Sequence, residues 1–218
     1  RVGIAYITNG VVSSPLEGFT RLEIKKRRDG KEYFALFFSG PIRSAGGTGA
    51  SVSVLIGDYV RTMFGYAPYD PTPQEIKRTV TELYDYHERV TNLQYLPSEQ
   101  EIEFMVQHLP VQIDGEPSEK MEVSNHKRLD RIATDRIRGG VCLVVGEGIC
   151  QKAQKVNKQL SKWGKEFGLD AWAFLDDFLK LQSKMKAKTA ADDQTRIKPD
   201  FTFIKDLVAG RPVFTHPL

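Results

Sequence analysis

The glycine-rich stretch from Phe38 to Ser51 contains residue types that could bind a phosphate group. An apolar, strand-like run leads into this stretch, and an amphipathic helical pattern follows it. Backbone N–H groups near the glycines would therefore lie at the positive end of a helix. Arginine can add paired hydrogen bonds to phosphate oxygens. The candidate contact consists of Arg43, Ser44, Gly46, Gly47 and Thr48.

This motif allows two interpretations. It contains no G-x-x-x-x-G-K-[ST] sequence and matches G-x-G-x-x-G only in fragments, so it is not a standard nucleotide-binding loop. It could hold a backbone phosphate of DNA. It could instead be a structural turn in which Gly46 and Gly47 adopt unusual dihedral angles, Ser44 or Thr48 caps the helix, and Arg43 pairs with a carboxylate.

Basic residues form a second candidate site. Lysines recur every three or four residues along a predicted helix, where they would form one stripe opposite the apolar face. They are Lys152, Lys155, Lys158, Lys162 and Lys165. Such a stripe could lie along a DNA backbone or could simply be solvated. Further basic clusters occur at residues 25–28 and 180–188, but the net charge of +3 does not by itself indicate a nucleic-acid partner.

An arginine next to paired glycines occurs a second time. Arg136 and Arg138 precede Gly139 and Gly140, directly before an apolar run. The arrangement could form another phosphate contact or an inter-domain turn. Arg138 is therefore included among the candidate DNA-contacting residues.

Residues for catalysis are not placed convincingly. The adjacent aspartates Asp176–Asp177 and Asp192–Asp193 fall on an exposed helix face and in a polar segment, where neither pair makes a rigid metal site. The histidines lack metal-ligand spacing, and His87 is predicted to be a hydrogen-bonded core residue. Cys142 and Cys150 lack C-x-x-C spacing and are predicted to be buried free thiols. We predict no catalytic residue, metal or cofactor in this chain.

The first half of the sequence predicts a β-hairpin and helices. Alternation in residues 20–26, the Asp29-Gly30 pair and an apolar run in residues 33–38 indicate a hairpin whose first strand is half exposed. Helical periodicity marks residues 51–64, with Val52, Leu55, Ile56, Tyr59, Val60 and Met63 facing the core. Capping boxes at residues 72–75 and 98–101 begin two further helices.

The second half predicts short strands and more helices. Residues 111–114 form a short strand, residues 121–138 are irregular, and Val141–Val145 reads as a buried strand that Gly146–Gly148 turns into the basic helix. Another helix starts at Asp170, and a short one runs from Pro199 to Ala209. The sum is an α+β fold with a β-hairpin, short strands and about six amphipathic helices.

Composition predicts the domain organisation. With 40% hydrophobic and 27% charged residues, the chain is typical of soluble globular proteins. No apolar run is long enough to span a bilayer, so no membrane partner and a cytoplasmic location are expected. We predict an accessory domain at residues 1–183, a linker at 184–196 and the start of a connection to a further domain at 197–218. Because the chain begins without Met, it is expected to be a piece of a longer protein.

Several segments also carry a family pattern in one order along the chain. They are residues 10–18 (GVVSSPLEG), 39–48 (SGPIRSAGGT), 53–61 (SVLIGDYVR), 86–95, 109–116, 138–140, 147–153 and 209–214. Together they closely resemble the N-terminal region of the large subunit of the archaeal D-family replicative DNA polymerase. The resemblance covers the chain from about Thr8 to its end, except for a poorly matched stretch near 184–195.

The resemblance implies a function for the parent protein. It implies DNA-directed DNA synthesis with magnesium, by aspartates in a two-barrel core downstream of Leu218, in complex with a small proofreading nuclease subunit and near the nucleoid. This chain would support the catalytic core and contact the DNA backbone, and would be inactive alone. Two alternatives remain: a purely structural or subunit-assembly module without DNA contact, and a small phosphate-ligand enzyme built around Gly46–Ser51.

Overall fold

A computed structural model of the protein describes residues 17–195 and, beyond them, only Lys205 and Ala209. The strands are β1 (Phe19–Lys26), β2 (Glu32–Phe38) and β3 (Gln112–Gly115). The helices are α1 (Gly46–Met63), α2 (Pro73–Arg89), α3 (Glu99–His108), α4 (residues 139–163) and α5 (Phe174–Thr195). Short 3-10 turns at Gly40–Ala45 and Asp170–Ala173 precede α1 and α5. The predicted α+β class is confirmed, with five helices in the described residues.

The three strands form one mixed sheet in the order β1-β2-β3. β1 and β2 pair antiparallel from Phe19↔Phe38 to Lys26↔Glu32, and β3 lies parallel to β2. The predicted hairpin is confirmed, since Gly30 in its turn has φ +82°, which suits glycine. β2 is buried after its first residue, whereas Ile24 on β1 is 49% exposed. The sheet therefore contributes to the core mainly through its central strand.

Both predicted capping boxes are present. The Glu75 backbone N–H donates to Thr72 Oγ1 (3.2 Å), and the Thr72 N–H donates to Glu75 Oε2 (2.7 Å). Ser98 and Glu101 repeat the reciprocal pair at the start of α3. Each box satisfies N–H groups that a helix end leaves without partners, so these two helix starts are fixed locally.

The predicted strand at Val141–Val145 is wrong, because this run is helical. α4 is α-helical at Gly139–Cys142, π-helical at Leu143–Cys150 and α-helical again at Gln151–Trp163. All residues from Gly139 to Cys150 are buried. A helix surrounded by other elements is apolar on every side, so the run lost the 3.6-residue periodicity that would have identified it.

Helix α1 begins five residues earlier than predicted, and so includes most of the glycine-rich stretch. Gly46, with φ +69°, joins the preceding 3-10 turn to α1. Val54 and Leu55 are buried, but Val52 is half exposed and Met63 is 67% exposed. The stripe predicted to face the core is therefore partly a surface.

Helix α5 continues through residues 184–195, which composition had predicted as linker. The chain divides into compact units at residues 1–182 and 183–218. The predicted domain boundaries stay predictions. Of the predicted helix at 199–209, only the Lys205 and Ala209 positions are described, with the Ala209 N–H donating to the Lys205 carbonyl (2.8 Å); the rest lies outside the described residues.

Candidate functional site

Gly47 is required by close packing of α1 against α4. A Cβ atom at Gly47 would lie 2.0 Å from the carbonyl oxygen of Glu147, far inside any permitted contact. Gly148 on α4 lies opposite Ala50, where a Cβ would be 3.3 Å from the alanine methyl. Small residues thus allow the N-terminal turns of α1 to touch the π-helical part of α4. This supports part of the structural interpretation of the glycine motif.

Arg43 lies at the surface beside this contact. Its Nη2 donates to Glu147 Oε1 (3.3 Å) and to the carbonyl of Asn92 (3.3 Å), while its side chain remains 38% exposed. The carboxylate pairing that the structural interpretation predicted is therefore present. The predicted capping by Ser44 or Thr48 is wrong, because the N-cap of α1 is Ala45 and no side chain bonds there.

The lysine stripe meets the start of α1. Lys155 Nζ lies 3.3 Å from Thr48 Oγ1, and Lys152 Cε lies 2.9 Å from the position that a Gly47 Cβ would occupy. Within the described residues, the stripe lysines form no ion pair with a carboxylate. We call this surface the basic face; it comprises Arg43, Ser44, Gly46, Gly47, Thr48, Lys152, Lys155, Lys158 and Lys162.

Two sequence motifs about one hundred residues apart are thus parts of one surface. Lys155, Lys158 and Lys162 are exposed, and Lys152 is half buried. Ser44 and Gly46 are also exposed. The arrangement presents several cations and small polar groups to solvent, which is the chemistry that neutralises phosphates along a nucleic-acid backbone.

Arg138 is not part of this surface. It is 1% exposed and lies between α2 and β3, where its guanidinium donates to Glu82 Oε2 (2.6 Å) and to Asp114 Oδ1 (2.6 Å). Its backbone N–H also donates to Glu82 Oε1 (2.7 Å). A phosphate outside the protein cannot reach this group, so the predicted DNA contact of Arg138 is wrong in this structure.

The surroundings of Arg138 form a buried ionic network. Lys25 Nζ donates to Asp114 Oδ2 (2.6 Å), so the carboxylate accepts from two cations. Burial alone would raise the pKa of the Asp114 carboxyl, but the charges of Arg138 and Lys25 outweigh it and hold that pKa below its ordinary value. Arg78 lies alongside, with its Nη2 3.9 Å from Glu82. This network joins β1, β3, α2 and the start of α4.

Part of the basic cluster at residues 25–28 forms ion pairs within the protein. Lys25 belongs to the network above, and Arg28 Nε pairs with Asp70 Oδ2 (3.1 Å). Arg131 pairs with Asp70 and, through Nη2, with Glu75 Oε2 (2.6 Å). Lys26 is exposed and forms no ion pair with the described residues, and Arg28 remains 65% exposed, so part of the charge of this cluster still faces solvent.

Gly139 and Gly140 have a packing role, as Gly47 does. A Cβ at Gly140 would lie 2.4 Å from the carbonyl carbon of Phe38, and one at Gly139 would lie 2.8 Å from Ser118 Oγ. The first turn of α4 therefore lies directly against the end of β2. Packing explains this glycine pair without a bound phosphate.

Among the described residues, no group of three histidine, cysteine or acidic side chains could hold a metal ion. Asp176 accepts from Asn157 (2.7 Å), and Asp177 pairs with Lys180 (2.7 Å). His87 Nδ1 accepts the backbone N–H of Leu93 (2.9 Å), so the predicted hydrogen bond is confirmed, but the residue is half buried rather than in the core. Both cysteines are buried free thiols, as predicted. The Asp192–Asp193 side chains lie outside the described residues.

Sequence reasoning missed the acidic partners of the arginines. Glu82 and Asp114 lie 56 and 24 residues from Arg138, and Glu147 lies 104 residues from Arg43. Glu82 is a fully buried carboxylate on α2, and a charged residue at a buried helical position is the one signal that could have marked it.

Within the described residues, no helix is both long and apolar enough to cross a membrane.

Comparison with known proteins gives a consistent result. The family model described as DNA polymerase II large subunit DP2, N-terminal, matches residues 1–181. The chain is similar to the DNA polymerase II large subunits of Nanoarchaeum equitans (47% identity over 244 residues) and Methanosarcina barkeri (49% over 221 residues). Both matches cover 100% of this chain, but 20% and 18% of the two relatives. The chain thus spans about a fifth of the length of these curated relatives.

Proposed function

Since the chain belongs to the DNA polymerase II large subunit family, as an N-terminal region, we propose that it supports the polymerase core and contacts the DNA backbone through the basic face. The family model and the two relatives confirm the sequence resemblance to an archaeal D-family polymerase. The parent's DNA-directed synthesis with magnesium, its small proofreading subunit and its place at the cytoplasmic nucleoid are parts of this proposal. No described residue set fits the magnesium, so it is assigned to the downstream core.

The observation that carries the proposal is the contact between Lys155 and Thr48. It places the start of α1 next to the lysine stripe. The cations of that stripe extend over about ten residues of α4, from Lys152 to Lys162. Ten helical residues extend about 15 Å. Successive phosphates on one strand of duplex DNA are about 3.4 Å apart along the helix axis. The basic face is therefore long enough to meet two or three phosphates at once.

Such contacts would not read sequence. Lysine is a flexible point charge, and the basic face offers no flat, preformed set of donors for a base edge. Arg43 could supply a forked contact, but Glu147 already uses part of its guanidinium. We therefore assign Arg43 to the edge of the interface and the lysines to its centre.

The buried network has a supporting role in this proposal. Arg138, Glu82 and Asp114 tie the start of α4 to α2 and β3, and they thereby fix the helix whose later turns carry the lysines. A rigid helix keeps the cations at constant spacing, so less conformational entropy is lost when DNA binds.

The test is a fluorescence-anisotropy titration of the 218-residue chain with a labelled primer-template at several salt concentrations. A variant with Lys155, Lys158 and Lys162 changed to Gln should bind more weakly. The slope of log K against log salt should fall by up to about 0.9 for each lysine that contacts duplex phosphate. The matched control changes the exposed lysines Lys77, Lys120 and Lys127 to Gln, which removes the same charge outside the basic face. This control variant should not show the decrease in salt slope.

A structural module without DNA contact is the second candidate. The pairing of Arg43 with Glu147 and the packing of Gly47 favour it, because both explain conspicuous motif residues without a ligand. Under this alternative, the basic-face and control variants would give the same weak binding and the same salt slope.

A further inference from the structure

An apolar groove lies between α1, the end of α4 and the loop that follows α4. It encloses about 570 Å³. Seven of its eight lining side chains are aliphatic or aromatic; the lining comprises Val52, Leu55, Ile56, Tyr59, Gln159, Trp163, Phe167 and Leu169. A surface opening of this size and composition is unusual for a solvated face and is typical of a binding groove.

The groove follows a face of α1 that the core does not cover. Val52, Ile56 and Tyr59 recur at helical spacing and are half exposed, and Met63 continues the row with 67% exposure. From Val52 to Met63 the row extends about 16 Å, or three helical turns. The Phe167 ring packs edge-to-face against the rings of Tyr59 and Trp163, with ring centroids 5.5 Å and 5.7 Å apart. These contacts order the aromatic side of the groove.

One edge of the groove is positively charged. Lys155 and Lys162 are exposed on α4, respectively one turn before Gln159 and one residue before Trp163, and they have no carboxylate partner among the described residues. Asp58 on α1 does not offset this charge, because it is buried and bonded to Arg61 and Trp172. The exposed acids Glu166 and Asp170 lie after α4, next in sequence to the lining residues Phe167 and Leu169.

We propose that this groove docks an amphipathic helix of another protein, with large apolar side chains on one face and Asp or Glu along the flank that meets Lys155 and Lys162. A groove three helical turns long can accept apolar side chains at positions i, i+4 and i+7 of the docked helix. Opposite charge along the edge sets the direction of the helix and favours acidic over basic partners.

Other occupants fit the groove less well. Single-stranded nucleic acid binds by stacking its bases on open aromatic faces. Here Phe167 already packs edge-to-face against Tyr59 and Trp163, and half of the lining residues are aliphatic. A second copy of the chain would bring the same lysine edge to a two-fold contact, where like charges repel. An acidic amphipathic helix satisfies both the lining and the edge.

The probe is a synthetic helical peptide with Leu at i, i+4 and i+7 and Glu along one flank, compared with the same peptide carrying Lys in place of Glu. Trp163 lines the groove while Trp172 is 2% exposed, so tryptophan fluorescence should report occupancy, and Trp163→Phe should remove the signal. The acidic peptide should bind at least about tenfold more tightly than the basic one.

Two sets of variants test the groove and its edge separately. Ile56→Asn, or the milder Val52→Asn, should weaken binding of the acidic peptide about tenfold or more. Gln107→Asn, at an exposed position of α3, should not weaken it. Lys155→Gln with Lys162→Gln should remove the preference for the acidic peptide. Ile56→Asn adds no charge and leaves the basic-face lysines in place, so primer-template binding should persist in this variant and the two proposals can fail independently.

Three outcomes would overturn the proposal. They are equal binding of the acidic and basic peptides, unchanged binding by both groove variants, and an Ile56-dependent dimer or oligonucleotide complex at this groove. The last result would assign the groove to a second copy or to single-stranded DNA.

Discussion

Two regions of the chain carry an arginine near paired glycines, and the structure uses their arginines in opposite ways. Arg43 precedes Gly46 and Gly47 and is 38% exposed beside a row of lysines. Arg138 precedes Gly139 and Gly140 and is 1% exposed between two carboxylates. One glycine of each pair, Gly47 or Gly140, lets a helix start touch other backbone. Burial, rather than the motif, therefore decides which arginine can meet a ligand.

The difference follows from the number of carboxylates around each guanidinium, which is two for Arg138 and one for Arg43. Arg138 has four hydrogen bonds to Glu82 and Asp114, counting its backbone N–H, and the pKa of its guanidinium is raised above the ordinary value because these charges outweigh burial. Arg43 shares one carboxylate, Glu147, which also accepts the Gln94 N–H (2.8 Å). The first arginine is fixed in the interior, and the second keeps donors toward solvent.

The largest expected effect is on Arg138. Changing Arg138 to Met removes the positive charge but keeps an apolar side chain of similar length. Glu82 and Asp114 then stay buried without the cation that pairs with both of them. We expect the free energy of unfolding to fall by about 3–5 kcal/mol. Urea unfolding followed by circular dichroism would measure it.

Arg43→Met is the matched control. Its ion pair is partly solvated, so its loss should cost about 1 kcal/mol or less. The comparison breaks down if Arg43→Met destabilises the chain as much as Arg138→Met does.

A smaller effect is expected at the glycines. Gly47→Ala places a methyl group against the Glu147 carbonyl and should cost about 1–3 kcal/mol, because the two helices must separate. Gly40→Ala meets no atom within 4 Å and should change the unfolding free energy by less than about 0.5 kcal/mol. Equal unfolding midpoints for these two variants would show that the helix contact is looser than described.

The buried network should also make stability depend on acidity. The Asp114 pKa is lower in the folded chain than the ordinary value near 3.9, so the unfolded chain binds more protons below about pH 5. This contribution is present above the ordinary pKa and is lost as the pH falls through the folded value. Unfolding midpoints measured from about pH 6 down to pH 2 should therefore decline, and less steeply in Asp114→Asn; an equal decline in both proteins would exclude Asp114 as a source.

Local signals in the sequence predicted part of this structure well. The capping boxes at Thr72 and Ser98 and the turn at Asp29-Gly30 depend on residues within four positions of each other, so the sequence alone identifies them. The lysine stripe was also predictable, because it repeats at helical spacing. Its contact with Thr48 was not, because it joins residues 107 positions apart.

The wrong predictions share a physical cause. Val141–Val145 has the β-branched, apolar composition of a buried strand, and a helix buried on all sides has the same composition. Gly146 and Gly148 suggested a turn, but both lie inside α4. There the missing side chains let Tyr95 and Ala50 pack close to the helix. The fate of Arg138 depended on Glu82 and Asp114, which only the tertiary fold brings beside it.

Acylation of lysines with and without bound primer-template, read by mass spectrometry, tests the central claim most directly. If the basic face contacts the DNA backbone, Lys155, Lys158 and Lys162 should lose reactivity when DNA is bound, while Lys77 and Lys180, exposed elsewhere, should keep theirs. Unchanged reactivity of the three basic-face lysines at saturating DNA would contradict the account and leave the chain a supporting module without DNA contact.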